Sequence, residues 1–205
     1  RLNQAKELSI NKIGHAMHDL DPVFRAFTAD ARLEQLAREI GLSDPKVWQS
    51  MYIFKQPGIG GEVRWHQDAT FFDTTPISVT TFWFALEDAT LDNGCLWTEP
   101  GGHRGPRGVL RERFERRGDD ITMAKLDATP WPASNVNAIP LEVKAGALVV
   151  FHGLLPHYSA PNRSKVSRHA YTLHATDAST AYAATNWLQR GAADPVRGFL
   201  LQSLA

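Results

Sequence analysis

Between residues 47 and 175 the chain carries eight short runs rich in β-branched and aromatic residues, and no helical pattern alternates with them. The runs are 47–54, 62–68, 78–86, 95–98, 141–144, 147–152, 157–160 and 168–175. Turn signals such as Asp92-Asn93-Gly94, Pro100-Gly101-Gly102 and Ala145-Gly146 separate them. A parallel α/β sheet needs a crossover helix between successive strands, so the pattern is less compatible with that class. Strands this dense point to antiparallel sheets folded into a jelly roll. Ahead of them, Leu33, Leu36, Ala37 and Ile40 recur at helical spacing between Thr28 and Gly41, with Thr28 or Asp30 to cap the start and Gly41 to end it. The fold class expected is mainly β with supporting helices, with a helical N-terminal part over about 1–46 and a β core over about 47–176. A length of 205 residues fits a single domain over 1–205.

Composition narrows the function classes. Lys plus Arg and Asp plus Glu each total 22, so no global field draws the chain to nucleic acid or an anionic membrane, and neither partner is expected. No apolar run approaches the roughly 20 residues of a membrane helix. A single cysteine, Cys95, forbids an internal disulfide and any multi-cysteine metal site, which fits a reducing cytoplasm. A metal here must be held by histidine and carboxylate. The opening RLNQAKELSI shows neither a starting Met nor a secretory pattern, and the chain reads as a nearly complete catalytic core that lacks its N-terminal approach.

Of eight histidines, His66 and His157 stand out by their neighbours. In WHQD (65–68), His66 and Asp68 are two apart, which on an extended strand sends both to one face and Gln67 to the other. One imidazole and one carboxylate side by side need only a second imidazole, for which His157 is the candidate. Together they form the facial triad that holds Fe(II) and leaves positions open for substrate and O2. Alone the tripeptide is weak, because chance yields an HxD about one time in three in such a chain. The turn Pro161-Asn162-Arg163-Ser164 predicts a hairpin in which Ser159 faces Val166 and His157 faces Arg168. An imidazole, a hydroxyl and a guanidinium would then share a surface. A guanidinium beside a metal suits a chelating keto acid with a second carboxylate, a description that fits 2-oxoglutarate. The plain alternative is a surface hairpin whose Arg168 pairs with an acid. The charged stretch 104–120 reads as a solvated helix with its flanks.

The segments NKIGHAMHDLDPVF (11–24), QSMYIFKQP (49–57), GGEVRWHQD (60–68), FWFALEDATLDNGCLWTEPGGH (82–103), GALVVFHGLLPHYSAPN (146–162) and SRHAYTLHA (167–175) together resemble the phytanoyl-CoA dioxygenase family of Fe(II)/2-oxoglutarate oxygenases. The resemblance implies a double-stranded β-helix of the jelly-roll, cupin-like kind. It implies iron held by His66, Asp68 and His157, and the distal carboxylate of 2-oxoglutarate held by Arg168 and Ser159. It also implies that Lys12, Met51 and Trp83 line the co-substrate pocket. The activity expected is hydroxylation of a small-molecule substrate with release of succinate and CO2. In halogenating relatives a small residue stands in place of the carboxylate, so Asp68 favours hydroxylation. The stretch 71–83 is about one residue shorter than the family pattern, and 105–140 carries little of it.

Bland readings stand beside these. Met51 alternates with Val47 and Ile53 and could pack in a core; Trp83 in an aromatic strand would do the same, and Lys12 could be solvated. Gln67 and Asn162 read as structural, Cys95 as a small buried residue, and His103 and His152 as structural histidines. A non-catalytic jelly-roll protein that binds a metal or ligand is the alternative from another class, and a His/Asp zinc hydrolase a third. The zinc reading leaves Arg168 unexplained.

Overall fold

The computed structural model describes residues 5–133 and 136–199. Its strands, in chain order, are β1 (Lys12–His15), β2 (Pro45–Ile53), β3 (Val63–His66), β4 (Thr74–Thr75), β5 (Thr80–Ala85), β6 (Leu96–Thr98), β7 (Glu112–Arg117), β8 (Asp120–Lys125), β9 (Ile139–Leu141), β10 (Leu148–His152), β11 (His157–Ser159), β12 (Ala170–Asp177) and β13 (Ala181–Tyr182). Three α-helices, α1 (Met17–Leu20), α2 (Pro22–Thr28) and α3 (Ala31–Glu39), fall between β1 and β2. The main sheet has the order β1-β2-β12-β5-β10 and the second the order β3-β11-β6-β9, both with antiparallel pairings throughout. This is a jelly roll, and its two sheets enclose the site.

Local chemistry sets the helices. Asp21 accepts from the amides of Val23 and Phe24 with Pro22 at the first helical position, and Asp30 accepts from the Arg32 amide to start α3. Gly41, at φ +107°, follows the end of α3. Leu33 and Ala37 of α3 pack on Tyr171, Leu173 and Ala175 of β12 and on Phe82 and Phe84 of β5. Each large side chain so buried contributes roughly 1.5–3 kcal/mol. All eight residues of β12 are buried, because its odd-numbered side chains face the helices and its even-numbered ones face the space between the sheets. No helix among the described residues is long and apolar enough to cross a membrane.

Several expectations need correction. His157 and Arg168 do not pair in a hairpin: β11 pairs with β3 and β6, whereas β12 pairs with β2 and β5. The turn at 161–164 crosses between sheets, a distinction invisible to a rule based on local turn signals. The stretch 104–120 is no helix. It holds a 3-10 turn (Gly105–Arg107), strand β7 and the start of β8, and the β7–β8 hairpin turns through Gly118 at φ +63°. Its charges hid a two-residue alternation in which Phe114 points inward between Arg113 and Glu115, which pair with each other. Strand β3 ends at His66, so Asp68 opens a 3-10 turn and does not continue the strand. Strand β1 arises within the stretch expected to be helical. The supposed common face of Val47, Met51 and Ile53 is broken by a bulge opposite His174/Ala175, which leaves Val47 in the helix-side core while Met51 and Ile53 face the interior.

Candidate active site

One cavity of about 1080 Å3 lies between the sheets, and His66, Asp68 and His157 share it. Antiparallel pairing sets His157 opposite His66, with ring centroids 4.0 Å apart. One ligand atom from each of the three residues falls within 4.8 Å of the other two. The imidazole Nδ1 atoms lie 2.8 Å from the Arg64 carbonyl and 3.0 Å from the Leu155 carbonyl. A carbonyl only accepts, so each Nδ1 carries a proton and Nε2 is the nitrogen left to meet a metal. Those Nε2 atoms stand 3.6 Å (His66) and 3.7 Å (His157) from the same Asp68 oxygen, Oδ1. Two imidazoles and a carboxylate converging in this way fit a divalent metal with open positions.

Burial, and then the neighbouring His157, push the His66 imidazole down to about 4, so it is a free base at neutral pH. Burial pushes the Asp68 carboxyl up, but His157, His174, His66 and the Thr81 hydroxyl together outweigh it and bring it to about 2. The Thr81 hydroxyl donates to Asp68 Oδ2, and His174 Nε2 lies 3.7 Å from that oxygen. His174 stacks on Phe72 at 5.0 Å. Sequence reasoning passed over His174, although a two-residue count along β12 from Arg168 reaches it: Arg168, Thr172 and His174 all face the cavity.

Farther along the cavity Arg168 is 1% exposed. Its Nη2 lies 3.3 Å from Ser159 Oγ, its Nε donates to the Gly94 carbonyl at 3.2 Å, and its Nη1 has no hydrogen-bond partner among the described residues. Ser159 Oγ donates to the same carbonyl at 2.9 Å. The guanidinium lies 5.3 Å over the Trp83 ring, and Trp83 is buried. The two sheets thus bring Arg168 and Ser159 together by stacking face to face. Met51 of β2 and the exposed Lys12 of β1 line the same cavity. So does Lys55, just beyond β2, which the sequence reading did not single out; a two-residue count from Met51 through Ile53 reaches it.

An aromatic belt forms the rest of the wall. Phe71 lies 6.1 Å from His66 and 5.7 Å from Phe114, Phe114 lies 6.0 Å from Trp187, and Trp187 lies 4.9 Å from His15. Gln67 points away, donating to the Val109 and Leu154 carbonyls and accepting from the Arg111 amide. Asn162 holds its turn by donating to the Lys55 and Val166 carbonyls and accepting from the Ser164 amide. Cys95 is buried, with its thiol pushed up to about 11, chiefly by burial. His103 and His152 stack on each other at 5.7 Å and do not line the cavity.

A profile of the phytanoyl-CoA dioxygenase family, described as phytanoyl-CoA dioxygenase (PhyH), matches residues 2–170. The chain belongs to this family. The matched span of the phytanoyl-CoA dioxygenase family includes His66, Asp68, His157, Ser159 and Arg168, and ends just before His174. Phytanoyl-CoA dioxygenase 1 of Oryza sativa subsp. japonica is 50% identical over 193 residues, covering 92% of this chain and 66% of the relative. Phytanoyl-CoA dioxygenase domain-containing protein 1 of Mus musculus is 50% identical over 186 residues, covering 89% of this chain and 63% of the relative. The chain therefore spans slightly less than two thirds of these family members. Among solved structures, the epimerase SnoN in complex with Fe3+, alpha ketoglutarate and nogalamycin RO has a TM-score of 0.66 at 19% identity, over 90% of this chain and 77% of that one. At that identity the likeness is one of fold.

Proposed function

We propose that this member of the phytanoyl-CoA dioxygenase family is an Fe(II)- and 2-oxoglutarate-dependent dioxygenase that hydroxylates a small molecule and releases succinate and CO2. The observation that carries the reading is the pairing, within one cavity, of the His66–Asp68–His157 trio with a buried Arg168 whose Nη1 has no hydrogen-bond partner among the described residues. A buried guanidinium with a free donor suits a carboxylate, and a carboxylate some distance from a metal chelated by its own other end suits a 2-oxo diacid. Iron bound at the trio supplies activation of O2 coupled to oxidative decarboxylation of 2-oxoglutarate.

The chain's own residues hold and orient. Backbone carbonyls hold the Nδ1 atoms of His66 and His157 and so aim their Nε2 atoms at the metal position, and Asp68 would offset part of the metal charge. Arg168 and Ser159 bind the distal carboxylate, with Trp83 beneath the guanidinium and Met51 and Lys12 on the neighbouring strands completing the pocket. Phe71, Phe114 and Trp187 shield the reacting centre from water and favour a substrate that presents an apolar face. The lone, buried Cys95 suits work in a reducing compartment such as the cytoplasm.

The test is release of labelled CO2 from 2-oxoglutarate labelled at C1, on addition of Fe(II) and O2, with a panel of apolar small molecules. The reading expects turnover that Asp68→Ala abolishes. Absence of turnover, together with no metal-to-ligand absorption band on anaerobic mixing with Fe(II) and 2-oxoglutarate, would leave the non-catalytic alternative.

A further inference from the structure

Two cations, and no acid paired with either among the described residues, lie at the end of the cavity away from the metal trio. One is Arg168. The other is Lys55, 2% exposed, which follows Met51 and Ile53 in a two-residue alternation along the floor of the cavity. Its ammonium has three donors, and the bond it makes is to a neutral acceptor, the Gly61 carbonyl at 2.9 Å. Glu62, whose charge reaches Lys55, accepts from Tyr158 Oη at 3.2 Å, and Glu87, whose charge reaches Arg168, accepts from Ser167 Oγ and the His169 amide.

The two cations flank one residue. The Gly94 carbonyl accepts from Arg168 Nε and Ser159 Oγ, while a Cβ on Gly94 would stand 2.3 Å from Lys55 Cε. Gly94 also has φ +83°, so glycine is required there both for its backbone and to let the lysine stem pass. Lys55 itself is held at φ +36°, a region that residues with a Cβ rarely adopt, and the Asn162 amide bonds its carbonyl at 2.8 Å. The chain thus fixes an unusual backbone to deliver an ammonium to this spot.

We infer that Lys55 is a binding residue for 2-oxoglutarate, joining Arg168 and Ser159 in gripping the distal carboxylate and so selecting a dicarboxylic over a monocarboxylic 2-oxo acid. The inference rests on the co-substrate reading above. Burial first, and Arg168 second, push the Lys55 ammonium down to about 7, which is the cost of two buried cations without an anion. A carboxylate between them relieves that repulsion.

The experiment is anaerobic calorimetric titration of the Fe(II)-loaded full chain with 2-oxoglutarate and with 2-oxopentanoate, which has the same carbon chain without the distal carboxylate. It compares wild type with Lys55→Gln, which removes the charge but keeps a donor for the Gly61 carbonyl, and with Lys55→Met. The expected result is a loss of roughly tenfold or more in affinity for 2-oxoglutarate with 2-oxopentanoate unchanged, so that the preference collapses. A variant that retains the wild-type preference overturns the role of Lys55 alone. A wild type with no preference overturns the co-substrate reading and this inference with it. If both variants fail to fold, the Lys55 Nζ resonance of 15N-lysine wild type loaded with Zn(II) in place of iron decides: it is expected to shift with 2-oxoglutarate and not with 2-oxopentanoate, and a resonance that 2-oxoglutarate leaves unmoved refutes the assignment.

Discussion

His174 Nε2 lies 3.7 Å from Asp68 Oδ2, the carboxylate oxygen that accepts the Thr81 hydroxyl, whereas Oδ1 faces His66 and His157. The carboxylate is thereby oriented from behind by β12 and β5. His174→Phe preserves the stacking on Phe72 and removes the nitrogen, and Thr81→Val removes the donor. Each is expected to lower metal affinity by about 10-fold or more, in keeping with the effect of groups that orient metal ligands. Competitive titration against a chelator measures it, and wild-type affinity in both variants would show that Asp68 orients itself.

Gly94→Ala forces a methyl group against the Lys55 stem and against the Ala160 carbonyl, 2.4 Å away, in a backbone conformation that disfavours it. Overpacking and positive φ together are expected to cost roughly 3 kcal/mol. A lowered urea midpoint at unchanged slope checks this, and an unaltered midpoint would mean that the two segments move apart freely.

Asp19 is 3% exposed and pairs with Arg190 and, at 3.0 Å, with Arg197, tying the C-terminal stretch to the start of α1. The Arg190 side chain is itself buried and keeps the half-exposed Asp194 as a second partner at 2.8 Å, so Asp19→Ala removes only its buried partner and is expected to destabilise by about 2 kcal/mol. The double variant Asp19→Ala, Arg190→Met should recover much of that loss. If it unfolds as readily as the single variant, the pairing is not the source.

Asp177 accepts from the Ser43 amide, the Ser43 hydroxyl and the Ser179 amide, joining the loop before β2 to the end of β12. Burial pushes its carboxyl up, but these donors outweigh it and hold it well below the usual carboxylate range. As pH falls through about 4 the unfolded chain binds this proton first, so the stabilisation present at neutral pH is lost on acidification. Asp177→Asn should therefore be less stable than wild type at pH 7, with the gap closing below pH 4. A gap independent of pH would exclude the charge as its origin.

Strand composition and turn residues made the jelly roll readable, and the HxD spacing singled out His66 and Asp68, which share one cavity with His157 and Arg168. What stayed hidden depends on how strands meet. The turn at 161–164 looks like any hairpin turn, yet it passes from one sheet to the other, so Ser159 meets Arg168 across the interior and not along a ladder. The bulge beside Val47 reverses the facing of everything after it, which no count from Val47 could anticipate. His174 and Lys55 were legible in principle, since each continues a two-residue alternation from a residue already chosen. They were missed because neither has a distinctive neighbour in sequence.

The β7–β8 hairpin pairs with no strand of the two main sheets, yet Phe114 and Met123, paired across it, line the cavity wall opposite the strands of the floor. On the proposed function, chemistry and choice of substrate would be housed in separately mutable parts. The residues proposed for iron and the 2-oxo acid lie on the two sheets and the segments adjoining them, while the hairpin is an outboard attachment that shares no ladder with either sheet. On that reading a lineage could retune its substrate by rewriting some fourteen residues, about the span from 112 to 125, and keep the residues proposed for iron and the 2-oxo acid intact.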